Sequence, residues 1–138
     1  MVDHFLVIHF SCCLFMTGVI WLVQILHYPS FKFVSEKEFV TFEQFHIKRI
    51  SYVVVPVMLV EITTAIIAYL NHPSLLLLLN MIFNSLILLF TYALSVPYHN
   101  KLKEGKSLKT IKMLAYTNWP RTIFWSLRSL LLIYLIWV

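Results

Sequence analysis

The sequence predicts an all-α integral membrane protein, a four-helix up-down bundle with amphipathic cytoplasmic extensions. Three observations lead there. Hydrophobic residues make up 60% of the 138 and charged residues only 12%, with a mean hydropathy of +0.82, well above the range of soluble domains. Four stretches approach the roughly 20 apolar residues that cross a hydrocarbon core of about 30 Å. Lipid offers no water to backbone polar groups, so each stretch has to be helical. The chain reads as one domain over 1–138, free of repeats, with spans at about 5–27, 51–70, 75–97 and 119–138.

The first span opens with Asp3 and His4 in place of a basic n-region, exceeds a signal-peptide core in length and lacks a small-residue cleavage site. It is expected to stay in the mature protein. Cys12 and Cys13 are adjacent within it, a placement that suits no structural disulfide. Its end is "QILHYPSF" at 24–31, where Gln24 and His27 sit one turn apart before an expected break at Tyr-Pro. "SEKE" at 35–38 has the form of a capping box, Ser35 receiving a backbone N–H and Glu38 returning to the cap. Phe39, Phe42, His46, Ile50 and Val53 keep helical spacing from there into the second span. Pro56 should kink that helix by crowding the Tyr52 carbonyl.

"NHPS" at 71–74 is a tight turn into the third span, which ends in "SVPYHN" at 95–100. Beyond it, Leu108, Ile111 and Ala115 share one face and Lys106, Lys109 and Lys112 lie near another, a pattern suited to a bilayer surface. "TNWPRT" at 117–122 opens the fourth span, with Pro120 in a first turn and Asn118 as a candidate N-cap. Free N–H groups beside Arg121 would make an anion site there, and the alternative is an ordinary capped helix with a snorkelling Arg and an interfacial Trp119.

Basic residues set the orientation. Lys32, Lys37, Lys48 and Arg49 lie between spans one and two, and Lys101, Lys103, Lys106, Lys109 and Lys112 between spans three and four. Both termini and the 71–74 turn lack Lys and Arg, so both termini are expected outside the cytoplasm. Anionic lipid head groups then account for the net charge of +5. No nucleic-acid motif accompanies the charge.

Each span carries a polar stripe of the kind that faces a bundle interior: Thr17, Gln24 and His27; Glu43, His46 and Glu61; Asn84, Thr91, Ser95 and His99; Asn118, Arg121 and Arg128. Glu61 and Arg128 lie deepest, about 15 and 14 Å into their spans. A lone charge at that depth costs at least about 2.5 to 3.5 kcal/mol, so an ion pair is expected between them. That pair either sets helix register or leaves Glu61 to move protons or ligate metal. His27, His46 and His99, with Glu43 three residues before His46, offer nitrogen and oxygen ligands for iron, copper or zinc. The competing reading makes each histidine an interfacial hydrogen bonder. Trp21 and Trp125 could wall a planar ligand or simply pack, and His4, His9 and His72 fall toward the opposite face.

The segments "WLVQILHYPSF", "FHIKRISYVVVPVMLVE", "VPYHNKL" and "TNWPRTIFWSLR" resemble a group of small, uncharacterised four-span bacterial membrane proteins over nearly the whole chain. The shared patterns are His-Tyr-Pro, Pro-x-His-x-x-Leu and Asn-Trp-x-Arg-Thr. More distantly, the Pro-polar-Leu end of span three and the Asn and Arg opening span four are similar to the anthrone oxygenase-like membrane proteins. That resemblance implies oxidation of a planar phenolic substrate without a cofactor. The expectation is a multi-pass protein of the bacterial inner membrane, an oxidoreductase or oxygenase acting on a lipophilic small molecule. His27, His99, Glu61 and Arg121 are its candidate catalytic groups, Gln24, Asn118 and Trp125 its ligand-holding groups, and His27, His46, His99 and Glu43 its metal ligands. Two other classes stand beside it: a transport or proton-pathway subunit gated at Glu61 and Arg128, which needs a homo-oligomer, and a scaffold whose polar residues only specify packing.

Overall fold

The computed structural model describes residues 4–137, so Asp3 and Val138 lie outside the described residues. Four long helices, α1 (His4–Phe33), α2 (Glu36–Asn71), α3 (Leu75–Leu102) and α5 (Trp119–Trp137), surround a common core, and a short α4 (Leu108–Thr117) leads into the last. Among the described residues there is no strand. The first three long helices are each long and apolar enough to cross a membrane. In α5 the buried guanidinium groups of Arg121 and Arg128 take the place of apolar side chains.

The Tyr-Pro break expected after His27 does not occur. α1 widens into a π turn at Val23–His27, closed by the Tyr28 N–H on the Val23 carbonyl, then continues through Pro29 and tightens into a 3-10 turn at Phe31–Phe33. α3 does the same at Thr91–Ser95, where the Val96 N–H reaches the Thr91 carbonyl just before Pro97. A proline ring collides with the carbonyl four residues back in a regular helix. Moving the preceding hydrogen bond one residue further relieves that crowding and keeps the helix intact. α3 therefore runs five residues past the expected end of its span at 97.

Ser35 does precede α2, but the capping box closes differently. Its hydroxyl donates to Glu38 Oε2 at 3.0 Å and caps no backbone N–H. α2 is a single helix through Pro56. At the opposite end Ser74 caps α3, its Oγ accepting from the Leu77 N–H at 3.2 Å.

α1 packs on α2 and α5, and α3 closes the square against α5 and α2, with α2–α3 the sparsest of the four seams. Both basic connections lie at one end, where Lys106 Nζ donates to the Lys32 carbonyl (2.9 Å) and the Val34 carbonyl (2.6 Å). The amphipathic face expected on α4 exists, yet Ile111 and Leu114 join the protein core with Phe31, Phe39 and Leu102, while Leu108 stays exposed.

Midway along the bundle Arg128 Nη1 meets Glu61 Oε1 at 2.8 Å, the expected pair, and both side chains are buried. Arg128 also donates to Asn84 Oδ1 (3.0 Å) and Asn80 Oδ1 (3.3 Å), and Trp125 Nε1 reaches Glu61 at 3.4 Å. His9, expected on the opposite face, belongs to this network. It is fully buried, with Nδ1 3.0 Å from the Glu61 carbonyl and Nε2 3.0 Å from Asn80 Oδ1. His9, Cys13, Met16 and Ile20 recur at helical spacing on the buried face of α1, which is why His9 points inward.

Candidate functional site

At the end of the bundle that carries the basic connections, the π turn of α1, the start of α2, the end of α3 and the first turn of α5 converge. The side chains expected to share a chamber are brought together, as hydrogen-bonded sets. His99 Nδ1 donates to Glu43 Oε1 at 2.5 Å. That fixes the tautomer, so His99 Nε2 accepts from the Tyr28 hydroxyl at 3.1 Å. His27 Nε2 and His46 Nδ1 form a second pair, 2.8 Å apart. The His46 and His99 rings lie 5.5 Å apart, centre to centre.

Arg121 faces the same space. Its Nη1 donates to Ser95 Oγ (3.0 Å) and Asn118 Oδ1 (2.9 Å), and the Tyr28 hydroxyl stands beside the guanidinium. Among the described residues it has no carboxylate partner within ion-pair distance. Among the described residues, Arg121 Nε and Glu43 Oε2 are buried here without a hydrogen bond within the protein. A cavity of about 470 Å³ opens from this layer. Tyr28, His46, Ser95, His99 and Arg121 line its polar end, and Met58, Leu59, Ile62 and Leu88 its apolar remainder. An apolar cavity with a few convergent polar groups is the usual form of a small-molecule site.

The other expected site residues take supporting positions. Gln24 and Asn118 are engaged with protein partners. Gln24 Nε2 donates to the Ala115 carbonyl (2.9 Å), and its Oε1 accepts from Asn118 Nδ2 (2.9 Å) and Thr122 Oγ1 (3.2 Å). Asn118 is in right-handed helical conformation (φ −79°, ψ −20°) at the joint between α4 and α5, and its Oδ1 accepts from Arg121. Trp125 is fully buried, with the Arg121 guanidinium 5.5 Å from its ring centre, and separates this layer from the Glu61–Arg128 network. Trp21 lies half-exposed on the outer surface against Trp119 and Ser126. Glu61 is one protein layer away from the cavity's polar end, behind Trp125.

The metal expectation gains no support from this donor geometry. His99 has both nitrogens engaged, the His27 and His46 nitrogens face one another, and among the described residues no three His, Cys, Asp or Glu side chains are placed to hold one ion. Tyr28 is the residue that sequence reasoning missed. Its position beside Pro29 reads as a helix break, and only the π turn swings it inward. Comparison with family models, with curated proteins and with solved structures finds no match to this chain, so what the site does rests on its own chemistry.

Proposed function

We propose that the chain is a four-span protein of the bacterial inner membrane that binds lipophilic phenols and deprotonates them for oxidation by dioxygen. The carrying observation is a buried Arg121 without a carboxylate, at the polar end of an otherwise apolar cavity and beside the chain Tyr28–His99–Glu43. Large apolar side chains exposed on all four long helices, among them Leu26, Leu59, Leu89 and Leu130, support embedding in lipid. The two touching basic connections support a cytoplasmic face at that end and both termini outside.

The phenol's oxygen takes the place beside Arg121, whose guanidinium stabilises the phenolate as it forms. Tyr28 accepts the substrate proton while handing its own to His99 Nε2, and Glu43 holds the resulting imidazolium. The phenolate is electron-rich enough to reduce dioxygen, the co-substrate. One oxygen atom enters a ring C–H position to give a quinone, and the other leaves as water with the two hydrogens lost by the phenol.

Oxygen uptake and quinone formation from 1-naphthol by the purified protein test this reading. Arg121→Gln and His99→Ala should each lower turnover by about 100-fold or more. Turnover unchanged in both variants, or absent in the wild type, overturns the reading.

A further inference from the structure

We infer that the site takes a phenol carrying one long alkyl or prenyl tail, admitted sideways from the bilayer between α2 and α3. The inference rests on the proposed head-group site at Arg121 and adds what lies behind the head. α2 contributes one whole face to the cavity, from Ile47 to Ile62, and α3 with the residue that follows it the facing one, from Leu88 to Lys103. Both stripes follow the three- and four-residue steps of a helix face for fifteen residues, about 22 Å at 1.5 Å per residue. The cavity is therefore a trough lying along the seam, far longer than a phenol ring.

Its two ends differ in chemistry. Arg121, His99 and Tyr28 mark one, with Asn100 and Lys103 at the rim, and Met58, Ile62 and Leu88 mark the other. Such a gradient matches a molecule with an acidic head and an apolar tail, and the two cations meet the negative charge of a phenolate. A carboxylate head would need no base, whereas His99 is held by Glu43 as one.

The trough also has an open side. α2–α3 is the sparsest seam, and Val55, Leu59, Tyr92 and Val96 line the cavity while remaining exposed on the outer surface. A tail lying there exchanges lipid contacts for protein contacts and gains little from water exclusion, because lipid is as apolar as the wall. The seam therefore selects by shape and by head-group charge.

The test uses a 2-naphthol with a dodecyl tail ending in a diazirine, photolysed with the full-length protein in phosphatidylcholine nanodiscs and mapped by peptide mass spectrometry. Label on the inner stripes near Met58, Ile62 and Leu88 is expected at least tenfold above that from a diazirine phosphatidylcholine. Excess tail-free 2-naphthol should remove it, as should Arg121→Gln. Label scattered over the outer faces, with binding still dependent on Arg121, overturns the tail assignment and leaves the head-group reading standing. Trough labelling that survives both Arg121→Gln and excess 2-naphthol overturns the head-group site and the inference with it. Competition by dodecanoate as strong as by 2-naphthol overturns the choice of a phenol.

Discussion

Replacing Arg128 by leucine removes the Glu61 partner at 2.8 Å and leaves that carboxylate buried with no cation, its nearest remaining donor of known distance the Trp125 N–H at 3.4 Å. Removing one partner of a buried pair costs about 3–5 kcal/mol, whereas replacing both by apolar groups is often close to neutral. The double variant Glu61→Leu/Arg128→Leu still strands Asn84 and the Trp125 N–H and takes from Asn80 its Arg128 bond, leaving it only His9. Hydrogen bonds between helices in lipid are each worth about 0.6 kcal/mol on average, so those losses together reach roughly 2 kcal/mol. The double variant should therefore cost about 2 kcal/mol against about 3–5 for each single one, a coupling energy of at least about 4 kcal/mol. Steric trapping of the folded protein in bicelles, run as a double-mutant cycle, measures it. Additive effects, with coupling below about 0.5 kcal/mol, would refute the claim that these two charges staple α2 to α5.

His9→Leu should cost about 1–2 kcal/mol in the same assay, because it removes one bond each from Asn80 Oδ1 and the Glu61 carbonyl, while exposed His4→Leu changes little. Gln24→Leu removes the bonds to Asn118 Nδ2, Thr122 Oγ1 and the Ala115 carbonyl, and should cost about 2 kcal/mol and raise KM for 1-naphthol through a displaced Arg121. Lys106→Met frees the Lys32 and Val34 carbonyls, and limited proteolysis should become several-fold faster at 32–35 with the bundle core unaffected. Amide exchange protection of α2 and α3 before and after the substitution checks that the change is local.

The helices and their order were legible because a long apolar run has one backbone solution in lipid, and the inward polar stripes because a 3.6-residue period leaves few alternatives. The pairing of Glu61 with Arg128 followed from depth alone. Partner choice was not legible. Nothing in the spacing says that His99 bonds Glu43 while His46 bonds His27, since those pairs depend on interhelical rotation. His9 was misjudged because one histidine at the start of a span carries no depth signal without its partner, and Asn80 was passed over beside Asn84, one turn away. The face of α4 was read correctly and assigned the wrong neighbour, because an apolar stripe fits a protein core as well as a membrane surface.

The two π turns carry a consequence of their own. Each inserts one residue relative to an α-helix, which advances everything after it by about 100° of azimuth. Tyr28 and His99 owe their headings to those insertions, while His9, Cys13, Asn80 and Asn84, upstream of them, do not. The molecule is thus phased in two independent halves. Deleting a single amino acid from either turn would leave the Glu61–Arg128 staple in register and rotate Tyr28 or His99 out of alignment.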